Sequence, residues 1–237
     1  MTPVLTDTRL IVGLDLPSLD AARAMVDRLG ATIRFYKIGL TLLARPGGVA
    51  FAHELQASGR MVFQDWKLHD IGAQVEGAAR AVAEGGCDLL TVHAEPQVMR
   101  GAVKGRDAAG TATKLLAVTV LTSLSDEDLK DIGYASGARS LVERRIHQAL
   151  AAGCAGVVAS PQEAELARRI GGKDFLVVTP GVRPGWSARN DQVRAATPAE
   201  ALRAGASHLV CGRPISAAND PAEAALKVIA EMAAVPA

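Results

Sequence analysis

A single (β/α)8 barrel spanning residues 1–237 is the fold that this sequence predicts, and three observations carry the prediction. Short runs rich in branched apolar residues alternate with longer alanine-rich segments of helical period. The alternation repeats eight times, which suits the length of one barrel. No Gly-Ser-rich linker or compositional break divides the chain. A doubly wound open sheet is the alternative. Against it, the first apolar run is not followed by a G-x-G-x-x-G or G-x-x-x-x-G-K-[ST] phosphate loop.

The expected strands are Arg9 to Asp15, Ile33 to Gly39, Met61 to Lys67, Leu89 to His93, Leu115 to Leu121, Gly156 to Ser160, Phe175 to Thr179 and His208 to Gly212. Each is a run of Val, Ile, Leu or Phe short enough for a strand buried on both faces. The helices are expected to begin near Ser18, Gly48, Ile71, Pro96, Arg139, Pro161, Pro198 and Pro221. Three of these starts read Ser160-Pro161, Thr197-Pro198 and Asp220-Pro221, an N-cap side chain followed by proline at the first helical position.

Composition narrows the function. With 49% hydrophobic and 22% charged residues the chain can bury a sizeable core. A formal net charge of +1 gives no field that would draw nucleic acid or an anionic membrane, and 3% aromatic residues leave little to stack bases on. Cys87, Cys154 and Cys211 form no C-x-x-C pair and lie in or beside apolar runs, which suits buried thiols in a reducing compartment. No leader-like N-terminus and no apolar stretch approaching the roughly 20 residues of a membrane span are seen, so a cytoplasmic protein is expected.

In a barrel the chemistry belongs at the C-terminal ends of the strands. There the sequence places Asp15, Lys37, Asp65 with Lys67, His93, Thr122 with Ser123, and Ser160. The densest stretch is M-V-F-Q-D-W-K-L-H-D-I, Met61 to Ile71. The two-residue period of a strand puts Asp65 and Lys67 on one side and Trp66 on the other. Asp70 then stands where a helix begins and an aspartate caps well. Taken alone, D-x-K-x-x-D is an ordinary solvated pair plus a cap. Its convergence with other polar groups at one rim makes it a candidate active site.

The loops after the seventh and eighth strands, Gly181-Val182-Arg183-Pro184 and Gly212-Arg213-Pro214-Ile215, fit a phosphate. Glycine lets the backbone come close, and a guanidinium binds a phosphate through two hydrogen bonds. Solvated loop arginines are the plain alternative. The long segment from Gly181 to Gln192 has the composition of a lid, in which Gln192 could bond both ends of a small ligand and Trp186 would anchor packing.

V-G-L-D-L-P-S at Val12, Y-K-I-G at Tyr36, D-W-K-L-H-D-I at Asp65, V-T-V-L-T-S at Val118, V-T-P-G-V-R-P at Val178 and V-C-G-R-P-I at Val210 together resemble the signature segments of the orotidine 5'-phosphate decarboxylase family, in its order and over essentially the whole chain. The resemblance implies a homodimeric barrel that converts orotidine 5'-phosphate to UMP with no metal or organic cofactor. It implies that Asp15 and Lys37 hold the ribose hydroxyls. Lys37, Asp65 and Lys67 would form a charged array completed by Asp70 of the neighbouring subunit, with Lys67 the proton donor. Thr122 would line the base pocket, Gln192 would bridge base and phosphate, and Arg183, Gly212 and Arg213 would grip the phosphate. The chain departs from the family pattern at Gln74, where a ligand-contacting threonine is usual, at Thr41, where the family often has glutamate, and at Trp66, where leucine is usual.

The chemistry suits these residues. Loss of carboxylate from a pyrimidine ring leaves carbanion character that no neighbouring carbonyl can spread, and the sequence offers no pyridoxal or thiamine site as an electron sink. Fixed charge must then do the work. An ammonium beside the carbon stabilises the developing charge and delivers a proton. A Schiff-base lysine would have to be a neutral amine, whereas Asp65 and Asp70 favour the charged form. Two rivals remain at this stage, a Mg2+-dependent sugar-phosphate enzyme on a similar barrel and a non-catalytic phosphate-binding barrel. The first loses a plausible oxygen ligand at Thr41, and the second has no use for Asp65, Lys67 and Asp70 together. No His, Cys and carboxylate cluster with metal-ligand spacing stands out in the sequence.

Overall fold

The computed structural model describes residues 6–187 and 196–235. Its eight parallel strands are β1 (Leu10–Gly13), β2 (Phe35–Gly39), β3 (Met61–Leu68), β4 (Leu89–His93), β5 (Lys114–Val118), β6 (Gly156–Val158), β7 (Leu176–Thr179) and β8 (His208–Cys211). They pair in chain order and close into a barrel. Closure is made by β8 on β1, with Leu10 opposite Leu209, Ile11 opposite Val210 and Val12 opposite Cys211.

Alternation along each strand divides the apolar residues into two layers. Ile11, Phe35, Phe63, Leu89, Leu116, Val178 and Val210 point inward and fill the barrel, joined by Val158 of β6. The residues between them, such as Leu10, Val12, Tyr36, Val62, Leu90 and Val92, point outward and pack under the helices. Trp66 belongs to this outer side as expected, packed on the outer core while its indole N–H donates to the Gln64 side chain at 2.9 Å.

The expected helices are α1 (Leu19–Leu29), α3 (Gly48–Ala57), α4 (Gly72–Glu84), α5 (Pro96–Ala109), α7 (Ala138–Ala152), α8 (Ala164–Gly171), α9 (Pro198–Arg203) and α11 (Pro221–Ala233). Three short additions, α2 (Leu40–Leu43), α6 (Asp126–Asp131) and α10 (Arg213–Ser216), lie in loops at the rim of the barrel or beyond it. Thr197 and Asp220 cap as the sequence suggests, accepting from the Glu200 and Glu223 backbones at 3.3 and 3.0 Å. Ser160-Pro161 does not begin its helix. The Ser160 backbone N–H and hydroxyl both donate to the Glu163 carboxylate, so residues 161–163 close as a turn and the helix waits until Ala164.

Asp70 is not a helix cap either. Ile71 takes that position, and the Asp70 carboxylate accepts from the adjacent Ile71 N–H at 2.6 Å. The first turn of α4, just beyond, is pressed closely against α5. A methyl group added at Gly101 would overlap the Gly72 carbonyl, and one added at Gly105 would overlap the Glu76 carbonyl. These two glycines, one helical turn apart, let the backbones meet.

Gly105→Ala is therefore expected to destabilise the protein in thermal unfolding. Overpacking against backbone costs about 1–3 kcal/mol and outweighs the roughly 1 kcal/mol that alanine returns in helix propensity. Gly77 of α4 has open space around its missing Cβ, so Gly77→Ala should raise the melting temperature. Similar shifts for the two variants would show that α5 is free to move away.

Candidate active site

β2, β3 and β4 bring the principal charges together at the C-terminal rim. β2 carries Lys37 inward, opposite Gly13 of β1. Its ammonium donates to Asp15 Oδ1 at 3.0 Å and lies 3.6 Å from Asp65 Oδ2. Lys67 Nζ donates to the same Asp65 oxygen at 2.7 Å. One carboxylate thus serves two ammonium groups. Gly39 makes room for the Lys37–Asp15 pair, since a Cβ there would sit 2.9 Å from Asp15 Oδ1 and 3.2 Å from Lys37 Nζ.

Lys67 stands on Asp65's side, but plain strand alternation is not the reason. In the β3–β4 ladder Gln64 faces Leu90 and Leu68 faces Val92, so residues 65 to 67 bulge opposite the single residue Thr91. Lys67 takes φ +51°, the sole positive φ of a non-glycine among the described residues. The fully buried Thr91 hydroxyl accepts from the Lys67 backbone N–H at 3.0 Å and donates to Asp65 Oδ1 at 2.8 Å.

Burial alone would raise the pKa of Asp65, yet the net shift is downward, because Lys37, Lys67 and the hydrogen bonds from Lys67 and Thr91 outweigh it. The two lysines and Thr91 thus favour the ionised Asp65 carboxylate.

Asp15, Lys37, Asp65, Lys67, Thr122, Arg183, Gly212 and Arg213 all line one cavity of about 360 Å3. Phe63, Val118, Val158 and Val210 form its apolar wall. Arg183 is buried, and its backbone N–H donates to Ala196 O at 2.9 Å, tying the two ends of the β7–α9 loop. Trp186 rests outside on α11, with Lys227 Nζ 5.9 Å from its ring centre. Asp70 and Gln74 are exposed and do not line the cavity of their own chain. Gln192 lies outside the described residues.

Sequence reasoning missed three features. Thr91 looked like an ordinary strand residue. Arg145 of α7 gave no signal, yet it is buried and donates to Glu95 at 2.9 Å, to the Tyr134 hydroxyl at 2.8 Å and to the Thr119 carbonyl, bracing the loop that carries Thr122. The third corrects the expectation that no metal-type cluster exists, because His69, His93 and Glu95 offer ligand atoms within 4.8 Å of one another. They come from the ends of β3 and β4 and the start of α5, which sequence spacing does not reveal. Glu95 is paired with Arg145 through Oε1, and burial first, then His69, Arg145 and Lys67, lower the pKa of His93 against the opposing pull of Glu95. Cys87, Cys154 and Cys211 are free and buried, and burial pushes each thiol up to about 12.

A closed (β/α)8 barrel whose C-terminal rim joins a lysine–aspartate array to a pair of arginines defines the class of barrel proteins built to hold a small anionic ligand. The model of the orotidine 5'-phosphate decarboxylase / HUMPS family matches residues 8–228. The chain is 66% identical over 233 residues to an orotidine 5'-phosphate decarboxylase of Caulobacter vibrioides, covering 97% of this chain and 99% of the relative. It is 54% identical over 225 residues to the enzyme of that name from Rhodopseudomonas palustris, covering 95% and 94%. The crystal structure of orotidine 5'-phosphate decarboxylase from Lactobacillus acidophilus superposes with a TM-score of 0.84 at 34% identity, covering 95% of this chain and 99% of that one. The chain belongs to the orotidine 5'-phosphate decarboxylase / HUMPS family.

The lowered pKa of Asp65 has a measurable consequence. A carboxyl whose folded pKa lies below its unfolded value of 3.8 contributes stability that is present above that value and is lost as pH falls through the folded pKa. Wild-type protein should lose more unfolding free energy than Asp65→Asn as pH is lowered from about 5 to about 2. Parallel curves would show that Asp65 titrates normally.

Proposed function

We propose that the protein decarboxylates orotidine 5'-phosphate to UMP without a cofactor, as a single-domain cytoplasmic enzyme of pyrimidine synthesis. The observation that carries this reading is the Asp65 carboxylate shared by Lys37 and Lys67 in a cavity whose lining includes Arg183, Gly212 and Arg213. Family membership supplies the substrate, since the relatives carry that enzyme's name. Buried free thiols fit a reducing compartment.

In this mechanism the phosphate binds at the arginine end, the ribose hydroxyls meet Asp15 and Lys37, and the base lies along the apolar wall near Thr122. The bond from ring carbon to carboxylate breaks, CO2 leaves, and the electron pair stays on the carbon. The Lys67 ammonium, held in place by Asp65, stabilises that pair as it forms and then gives the carbon its proton. The resulting amine regains a proton from water. No electron sink is required, because the charge is met where it develops.

The site is completed by a second subunit. Asp70 and Gln74 are exposed and do not line the cavity of their own chain, and Ile71 beside them is 62% exposed. A two-fold dimer that buries this edge would carry each Asp70 to the partner's Lys67, and Gln74 with it.

The primary test is loss of orotidine 5'-phosphate absorbance with and without EDTA. Equal rates are expected, and a loss restored by Mg2+ would favour a metal-dependent sugar-phosphate activity. Arg213→Ala should lower kcat/KM on the phosphorylated substrate by about 3 kcal/mol, on the order of a hundredfold, with little effect on the phosphate-free nucleoside. Equal losses on both would make Arg213 structural.

For the shared site, Lys67→Ala and Asp70→Ala should each be nearly inactive, and mixing them with subunit exchange should restore activity. A mixed dimer has one site with both lesions and one with neither. No recovery, with exchange shown independently, would place Asp70 in its own subunit's site.

A further inference from the structure

We infer that Thr91 is a positioning residue for the reaction, its hydroxyl fixing both the Asp65 carboxylate and the backbone from which Lys67 projects. The inference rests on the reading of Asp65 and Lys67 as the reacting array, and it concerns a residue outside that array.

The geometry leads there in steps. Strand alternation points Thr91 inward, on the same face as Leu89. That makes it a polar group inside the barrel, fully buried. Such a hydroxyl is costly to bury unless its bonds are made. Here two bonds are made, and both go to the bulge of β3. The hydroxyl proton goes to Asp65 Oδ1 at 2.8 Å, and a lone pair receives the Lys67 N–H at 3.0 Å.

The bulge gives the second bond its importance. Residues 65 to 67 stand opposite one residue of β4, so the ladder is interrupted there. Lys67 sits at φ +51°, a conformation that a side chain with a Cβ adopts only under constraint from its surroundings. The Thr91 oxygen supplies an acceptor where the ladder has lapsed. The first bond leaves Asp65 Oδ1 engaged and turns Oδ2 toward both ammonium groups, 2.7 Å from Lys67 and 3.6 Å from Lys37. A single hydroxyl therefore fixes the side chain of one array member and the main chain of the next.

The test is a series at position 91. Thr91→Val keeps the shape and loses both bonds. It should lower kcat about 10- to 100-fold while KM changes severalfold at most, as expected when a hydrogen bond to a charged group is lost from a preorganised site. Thr91→Ser keeps the hydroxyl and should stay within about threefold of wild type, whereas Thr91→Ala should be as impaired as the valine variant. The 13C signal of the Asp65 carboxyl, assigned by its absence in Asp65→Asn, should titrate at higher pH in Thr91→Val and Thr91→Ala than in wild type or Thr91→Ser, because a bond that favours the ionised form is gone.

Wild-type turnover and an unmoved Asp65 titration in Thr91→Val would overturn the inference. So would equal impairment of the serine and alanine variants, which would assign the effect to the methyl group. Lys67→Ala is the control for the underlying reading. If it turns over as fast as wild type, the assignment of the array falls, and the Asp65 titration still decides whether Thr91 places that carboxylate.

Discussion

Pairing of β8 back onto β1 is the constraint on which everything else in this structure depends. It brings the C-terminal ends of all eight strands to one rim, and it forces one residue set from each strand into a space that only side chains can fill. Inward residues such as Ile11, Phe35, Phe63 and Leu116 fill it. Above them the barrel wall still excludes most water, so the charges that stand there, Lys37 and Asp65, are largely buried. Burial works against the ionised form of a carboxylate in that position, its partners outweigh that cost, and it in turn holds two ammonium groups close together.

That mutual dependence explains why the array is built as a relay rather than as separate pairs. Lys37 reaches Asp15 and Asp65, and Asp65 reaches Lys37 and Lys67. Asp15 and Asp65 balance Lys37 and Lys67 within the array, and Arg183 and Arg213 leave the cavity of one chain net positive. An anionic group entering the cavity therefore meets more positive than negative charge.

Support for the array comes from groups of unremarkable type. Gly39 leaves the space in which Lys37 and Asp15 meet. Arg145 ties Glu95, Tyr134 and the Thr119 carbonyl together, bracing the segment that leads to Thr122. Gly101 and Gly105 let α5 lie against the start of α4, which fixes the stretch that follows Asp70. Each acts by shape or by one hydrogen bond, so its removal would displace charges that it does not itself carry.

Fold class, strand order and most of the polar groups at the rim were legible in the sequence. Periodicity marks strands and helices, barrel connectivity sends strand ends to one rim, and D-x-K, G-V-R-P and G-R-P gained meaning from their convergence there and from their likeness to one family's segments. What the sequence could not supply were relations across the barrel. The bulge that turns Lys67 depends on β3 being two residues longer than β4 between fixed pairs, and Thr91 takes its meaning from that mismatch. The His69, His93 and Glu95 cluster and the reach of Arg145 join elements far apart in the chain. Even the helix starts at Ser160 and Asp70 were decided by which neighbour took the side-chain hydrogen bond. Residue types and their spacing determined which groups could act, and tertiary packing decided which of them stand close enough to act on one another, since electrostatic and hydrogen-bond energies depend on distances that no linear pattern encodes.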